Sequence, residues 1–273
     1  MTAPDTLAGR AVGVLAEPDP MGKVRLTREA ADAWTKGDLA GVGRADPSDR
    51  PGRPSRPELR RPAEMPRRRK AGSLAGRIAL LHALAHIELN AIDLSWDVIA
   101  RFSTPERAGV PLPEAFFTDW LKVAFEEAKH FAMLSERLAA LGAAYGDLPA
   151  HDGLWQSSTD TAHDLAARLA VVPMVLEARG LDVTPAMIES LTKAGDPESA
   201  AALQTIHDDE IGHVAIGKRW FEHVCARRGD EPIPTWQGLV KTYFRGELKR
   251  PFNRLSRDKA GFHSAFYEPI AVG

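Results

Sequence analysis

The 273 residues are enough to bury a substantial core, and 44% apolar with 26% charged residues is typical of a globular protein. Because Cys225 is the one cysteine, the chain cannot form an internal disulfide, a zinc ribbon or a thiolate-ligated iron–sulfur cluster. The amino terminus lacks the apolar stretch of a signal peptide, and no apolar run approaches about 18 residues. We therefore expect a cytoplasmic protein without a membrane partner.

The net charge of −2 is unevenly distributed along the chain. Residues 44–70 carry ten Lys/Arg against four Asp/Glu, a local net charge of +6, which leaves −8 for the remainder. Six prolines in the same segment favour extended backbone, so we expect an irregular basic arm. The arm contains no aromatic side chain on which bases could stack. A strap over the acidic body is therefore favoured, and contact with nucleic acid is the alternative.

Helical periodicity and proline or glycine breaks predict the elements in chain order. Pro173 should kink the third long helix, and Gly180 should end it. No segment shows a convincing strand pattern. Four long helices joined by short connections favour an all-α bundle. The predicted helices span residues 6–15, 27–34, 73–102, 114–145, 158–179, 185–193, 197–228 and 236–249.

The predicted elements divide the chain into three parts. Residues 1–71 form an amino-terminal extension with short helices and the Pro/Arg-rich arm. Residues 72–230 form the four-helix bundle. Residues 231–273 form a carboxy-terminal helix and tail that pack on the bundle.

Two Glu-x-x-His pairs occur, one in the second long helix and one in the fourth. Residues three apart share a helix face, so each pair can grip one metal ion. The first and third long helices each place a lone glutamate in their apolar stripe, so each half of the bundle repeats the pattern of one Glu followed by Glu-x-x-His. The six candidate ligands are Glu88, Glu127, His130, Glu177, Glu210 and His213.

Four glutamates in apolar stripes would be very costly to bury without compensation. Two divalent cations would balance the four negative charges, which is the physical reason to expect two metals. Oxygen-rich ligation with one histidine per metal suits iron, with manganese as the alternative. Glu177 is the weakest member of the set because it lies close to the predicted helix end. The competing interpretation is an ordinary helical bundle with scattered charges.

Metal-bound histidines usually donate their second N–H to a carboxylate or carbonyl. Glu126 and Asp209 each precede a ligand glutamate, so each could orient its own histidine or the one on the facing helix. Solvated acids at the bundle edge are the alternative. His207 lies three residues before Glu210 and is a candidate for the surroundings of the metals, although a hydrogen-bonded core histidine is the commoner explanation.

With these six positions matched, the sequence resembles the ferritin-like di-iron carboxylate superfamily. The stretches 82–88, 126–131 and 208–214 carry the resemblance, and it is greatest to a branch of uncharacterised bacterial ferritin-like proteins. The tail stretches 250–253 and 260–262 are also similar to that branch. The resemblance covers roughly residues 72–265 and implies a ferritin-like fold with a di-metal site, but it supplies no reaction.

The leading hypothesis is a non-haem di-metal oxidase or hydroxylase that uses O2 on an unknown substrate, with an unknown electron donor. An iron-handling ferroxidase or storage protein is the second hypothesis, although the long terminal extensions would obstruct a cage. A tRNA-directed hydroxylase or RNA-binding protein that uses the basic arm is the third. A dimer is compatible with each of them, and fold analogy does not select a substrate.

Overall fold

The computed structural model describes residues 5–60, 64 and 72–272, and they are mostly helical, which confirms the all-α class. A π-helical segment, Val172–Glu177, joins α7 directly to α8. The α-helices of the described residues are α1 (Leu7–Ala16), α2 (Pro20–Lys36), α3 (Leu74–Arg101), α4 (Pro105–Ala108), α5 (Glu114–Ala140), α6 (Gly153–Asp160), α7 (Leu165–Val171), α8 (Ala178–Lys193), α9 (Pro197–Arg228), α10 (Pro232–Tyr243), α11 (Arg254–Lys259) and α12 (Ser264–Tyr267).

Helices α3 and α9 begin and end where the sequence signals predict. The Ser73 hydroxyl accepts the Gly76 N–H at the start of α3, and the Asp196 carboxylate accepts the Ser199 N–H at the start of α9. Gly229 ends α9 with a φ of 79°, a left-handed conformation that glycine adopts without steric cost. Local capping therefore determines the limits of two helices that carry candidate ligands.

The long helices pack around one apolar core. Helix α3 packs along α5, α5 also contacts α9, and α7, the π segment and α8 all lie against α9. The amino-terminal helices cover this assembly from outside, with α1 on α3 and α2 on α5. Helix α10 packs on α7, and α11 packs on α8 and α9. The carboxy-terminal segment is thus part of the packed structure.

The prediction for the third long helix was wrong at both ends. It begins at Leu165, where Asp164 supplies the cap, and α8 continues through Gly180 and Pro185 to Lys193 without the expected break. Glycine and proline are only local signals, and packing of α8 along α9 outweighs them. Residues 185–193 are therefore the end of α8 and not a separate helix.

Other helix limits differ by several residues, and the described residues also contain two short strands. Helix α2 begins upstream of its predicted start because Asp19 caps it and Pro20 is its first residue. Helix α5 ends before residue 145, and α10 lies a few residues upstream of its prediction. The parallel strands β1 (Leu59–Arg60) and β2 (Ala150–His151) were not predicted, because two residues are too short to show a period.

The described part of the basic arm, residues 44–60, lies against the helical body. The Gly52 N–H donates to the Leu15 carbonyl over 2.7 Å, and Trp155 Nε1 donates to the Asp49 carbonyl over 3.0 Å. A Cβ atom on Gly52 would lie 2.3 Å from the Ala16 carbonyl oxygen, so only glycine fits this approach. The rest of the arm, 61–63 and 65–70, lies outside the described residues.

One described helix, α3, is long and apolar enough to cross a membrane by length and composition. Its most apolar 18-residue window has a mean hydropathy of 1.2, which the expectation of no such run overlooked. Because 67% of that window is buried within the protein, α3 has the burial of a core helix.

Candidate metal centre

The six candidate ligands come together inside the protein in two groups that share one glutamate. Within each group the ligand atoms all lie within 4.8 Å of one another, close enough to hold a metal ion. Glu210, from α9, belongs to both groups and can therefore reach both positions. The first group is Glu88, Glu127, His130 and Glu210, and the second is Glu177, Glu210 and His213.

Glu127 lies between the two histidines. Its Oε2 atom is 3.4 Å from His130 Nδ1, and its Oε1 atom is 3.0 Å from His213 Nδ1. The opposite sides of one carboxylate therefore face the two halves of the site. Glu127 and Glu210 are the carboxylates positioned to be shared, while the other ligands each belong to one side.

Two further carboxylates orient the histidines, and they do so across the helix interface. His130 on α5 has its Nε2 atom 2.9 Å from Asp209 Oδ2 on α9. His213 on α9 has its Nε2 atom 3.0 Å from Glu126 Oε2 on α5. Since a carboxylate only accepts, each Nε2 carries the proton and each Nδ1 is left as the atom that faces the glutamates. Of the two arrangements left open by the sequence, the structure has the one between facing helices.

Two lysines hold these orienting carboxylates, and the sequence interpretation missed both. Lys129, next to His130, donates to Asp209 on the facing helix. Lys122 donates to Glu126 over 2.6 Å, one helical turn away on α5. The Lys122–Glu126 pair has the usual i, i+4 spacing and could have been predicted from the sequence. The Lys129–Asp209 pair could not, because it depends on how α5 and α9 are offset along their axes. Each lysine balances the charge of one orienting carboxylate.

The inner atoms of the cluster make no hydrogen bond of good geometry, although Glu127 Oε1 and His213 Nδ1 lie only 3.0 Å apart. Buried polar atoms in folded proteins are nearly always satisfied, so several that converge on one place require an explanation. Chelation is the explanation that matches the donor set, because the atoms are carboxylate oxygens and imidazole Nδ1 nitrogens. The seven such atoms at this site are Glu88 Oε2, Glu127 Oε1 and Oε2, His130 Nδ1, Glu177 Oε2, Glu210 Oε2 and His213 Nδ1.

Burial without a cation shifts the protonation of the carboxyl groups. Burial, followed by repulsion from Glu127, raises the pKa of Glu88 well above its ordinary value. Burial and the neighbouring Glu210 do the same to Glu177, and the pKa of Glu210 is itself raised. Burial without a cation therefore favours the protonated form of these three glutamates, most of all Glu88 and Glu177.

The histidines and the central glutamate shift in the opposite sense. Burial alone would lower the pKa of His130, but Asp209 and the facing glutamates raise it well above its ordinary value. His213 behaves in the same way through Glu126 and Glu127. Burial disfavours ionised Glu127, yet the two imidazoles beside it lower its pKa overall. In the absence of metal, protons on these side chains offset the negative charge of the cluster. Metal ions could displace those protons and balance the same charge.

The π-helical segment positions Glu177, its last residue. A π-helical turn contains an extra residue compared with an α-helical turn, so it changes which side chains face α9. Pro173 lies within this segment, where its missing N–H is tolerated, and not at a simple kink as predicted. On α9, Gly217 accommodates the proline ring, since a Cβ atom there would lie 2.3 Å from Pro173 Cβ.

His207 does not join the cluster. Its Nε2 atom lies 3.1 Å from the Ser256 hydroxyl of the carboxy-terminal segment, and it belongs to neither ligand group. His207 and His213 lie three residues to either side of Glu210, so they point about 60° to opposite sides of it, and only the His213 side faces the cluster. The prediction that places His207 around the metals is therefore not supported by its contacts.

His82 and His86 on α3 form a cluster with Tyr145, which lies in the loop after α5. His86 Nδ1 is 2.8 Å from the Tyr145 hydroxyl, and the Tyr145 ring packs edge-on against Phe131, the residue after His130. His82 Nε2 accepts the Gly146 N–H over 2.9 Å. This proximity could not be predicted from the sequence, because Tyr145 lies in the loop after α5 and packs back against that helix.

The sequence profile of the family described as protein of unknown function (DUF455) matches residues 16–268. The chain belongs to this family. An uncharacterized protein of Haemophilus influenzae is 42% identical to this DUF455 chain over 209 residues, which are 77% of the chain and 72% of that protein. No solved structure matches it. The region matched by the family profile, residues 16–268, contains every residue of the carboxylate–histidine cluster.

Proposed function

We propose that this DUF455 protein is a ferritin-like di-metal carboxylate protein that binds two ions, with iron the favoured metal, and uses O2 to oxidise an organic substrate. The observation that carries the proposal is the convergence of seven unpartnered ligand atoms from four helical segments. Two Glu-x-x-His helices and two helices with lone glutamates have the composition of known di-metal carboxylate bundles.

The protein's own residues have separate roles in this proposal. Glu88 with His130 and Glu177 with His213 would each hold one ion, and Glu127 and Glu210 would be shared. Asp209 and Glu126 keep each imidazole in the tautomer whose Nδ1 faces the ions. These ligand atoms are buried within the protein, which limits their exposure to bulk water.

Two ferrous ions held in this way would supply electrons to O2 for the oxidation of a bound substrate. An apolar cavity that the glutamates line favours an organic substrate over simple iron storage. The RNA-directed alternative has less support, because part of the basic arm is engaged by the body. Arg53 lies 3.1 Å from Asp93, and Arg107 donates to the Ala45 carbonyl.

The test is O2 consumption after anaerobic loading with Fe(II). We expect native protein to consume O2 in proportion to bound iron, and Glu127→Gln to do so at least tenfold more slowly. Glu136→Gln, an exposed position on the same helix, serves as the control and should match native protein. Iron-loaded native protein that leaves O2 unchanged would refute the oxidase proposal. Continued Fe(II) uptake and oxidation beyond two ions per chain would favour the storage alternative.

A further inference from the structure

A cavity of about 470 Å³ lies against the carboxylate cluster, between α3, α8, α9 and the carboxy-terminal segment. Its volume is within the range of pockets that bind small organic molecules. Glu88, Glu177 and Glu210 contribute to its wall. A molecule in this cavity would therefore lie beside the cluster that we propose binds the metals.

Most of the remaining wall is aliphatic. Leu84 from α3, Val175 from the π segment, Met187 from α8 and Ile206 from α9 are representative. Such a wall gains free energy by covering apolar surface and offers few hydrogen bonds to a sugar or nucleotide. The cavity therefore selects a molecule with an apolar body.

The most exposed lining residues mark where the cavity opens to solvent. The side chains of Lys249, Glu247 and Arg179 are 65%, 61% and 43% exposed, whereas that of Glu88 is 4% exposed. The cluster glutamates are thus the buried part of the wall, and these three charged side chains are the exposed part. The solvent end of the cavity therefore carries two cations, Arg179 and Lys249, and one carboxylate, Glu247, while its closed end contains the cluster glutamates.

Arg179 has capacity to bind a further anion. Its Nη1 atom donates to the Lys249 carbonyl over 2.9 Å and approaches Asp182 at 3.4 Å. Among the described residues, neither its Nη2 nor its Nε atom makes a hydrogen bond that would compete. Lys249 is 3.6 Å from Glu247, but both side chains are largely exposed, and such pairs are weak.

We propose that the substrate is an amphipathic carboxylic acid whose apolar body fills the cavity and whose carboxylate binds Arg179 and Lys249 at the opening. This inference rests on the proposed function, because it names the substrate class of the same site. A guanidinium matches a carboxylate in a forked geometry, which gives the opening its selectivity for an anion. The far end of the apolar body would then lie closest to the glutamates.

The test is calorimetric titration of the Fe(II)-loaded protein, without O2, with decanoate, octanoate and decanol. Burial of each CH2 contributes about fourfold in affinity, so octanoate should bind about fifteenfold more weakly than decanoate. Decanol keeps the apolar body but lacks the charge, and it should bind about tenfold more weakly than decanoate. Bound iron is counted in every sample, so loss of metal is separated from loss of ligand binding.

Two pairs of variants locate the binding site. Met187→Trp places a larger side chain in the cavity and should abolish decanoate binding. Met21→Trp, at an exposed position on α2, should not change decanoate binding. Arg179→Gln should weaken decanoate about tenfold and leave decanol unaffected. Arg25→Gln, an exposed arginine that also pairs with a nearby carboxylate, should bind both probes like native protein.

Three results would overturn the inference. Iron-loaded protein that binds no decanoate, or binds it equally well after Met187→Trp, would refute the substrate class and leave the metal site intact. Equal loss of decanoate and decanol in Arg179→Gln would refute the role of the opening. Protein that takes up no metal would refute the proposed function, and the substrate inference with it, even if decanoate binds.

Discussion

The orienting carboxylates Asp209 and Glu126 determine which nitrogen of each ligand histidine faces the cluster. Asp209→Asn keeps the shape of the side chain but removes the charge that accepts the His130 proton and pairs with Lys129. We expect metal affinity to fall by about 10–100-fold, which is the usual cost of losing such a partner. Competition with a chelator measures this change.

Asp208→Asn is the matched control for that experiment, because Asp208 is the neighbouring residue on α9 and is exposed. It should leave metal affinity unchanged. Equal affinity of Asp209→Asn and native protein would show that His130 needs no orienting group.

Lys23 is fully buried, and its ammonium group lies 2.7 Å from the buried Asp93 carboxylate. The same ammonium group donates to the carbonyls of Val14 and Leu15, so it joins α1, α2 and α3. Removal of one partner from a buried pair leaves the other charge uncompensated.

Lys23→Met should therefore reduce the free energy of unfolding by about 3 kcal/mol, the lower end of the usual range, because Arg53 also reaches Asp93. Urea unfolding measures the change, and Lys36→Met at an exposed position should stay within about 0.5 kcal/mol of native protein. A negligible effect of Lys23→Met would mean that Arg53 alone compensates Asp93.

At the scale of elements, the contact between the π segment and α9 determines where Glu177 lies. Gly217→Ala would place a Cβ atom against the Pro173 ring, and overpacking of this kind costs about 1–3 kcal/mol. Gly212→Ala on the same helix meets nothing within 4 Å and should stabilise the protein by about 0.4–1 kcal/mol. Urea unfolding of both variants tests the contact, and stabilisation by Gly217→Ala would contradict it.

Helix starts were predictable where a capping side chain precedes an apolar period, as at Ser73 and Asp196. The end of the third long helix could not be predicted. Gly180 and Pro185 are common signals for a helix end, but packing on α9 overrides them. The π turn was also beyond sequence reasoning. Pro173 indicates that an α-helical hydrogen bond is missing, but not that a residue is added.

The six candidate ligands that the structure brings together could be selected from the sequence, because i, i+3 spacing and apolar stripes are properties of single helices. The pairing of Asp209 with His130 on the facing helix could not, since it depends on the offset between α5 and α9. His207 contacts Ser256, which matches the commoner explanation for it, a hydrogen-bonded core histidine.

At the scale of the whole molecule, the carboxylate cluster is a cost to stability when no cation balances it. Glu177 has a raised pKa and an unpartnered oxygen in the apolar interior. Glu177→Met should therefore increase the free energy of unfolding of the metal-free protein by about 1–3 kcal/mol, as replacement of buried ionisable groups often does.

Urea unfolding with a chelator present measures that gain, and Glu189→Met at an exposed site on α8 should change it by less than about 0.5 kcal/mol. With metal added, native protein should have the higher free energy of unfolding of the two, because Glu177→Met lacks one of the proposed ligands. Destabilisation of the metal-free protein by Glu177→Met would contradict the view that this glutamate is retained for metal binding.

The arm and the carboxy-terminal segment complete the molecule around this cluster. Residues 44–60 bind across α1, α3 and α6, and residues 244–257 form one wall of the cavity. The extensions therefore contribute to the enclosure of the central helices. The family match, over residues 16–268, includes both segments.

The proposed di-metal site is tested by the metal content of protein reconstituted with Fe(II) without O2 and then freed of unbound iron. We predict two ions per chain for native protein. We predict a loss of both ions in the Glu127→Ala/Glu210→Ala double variant, which removes the two shared carboxylates. Native protein that stays folded and retains no iron would contradict the account, and so would a double variant that keeps both ions.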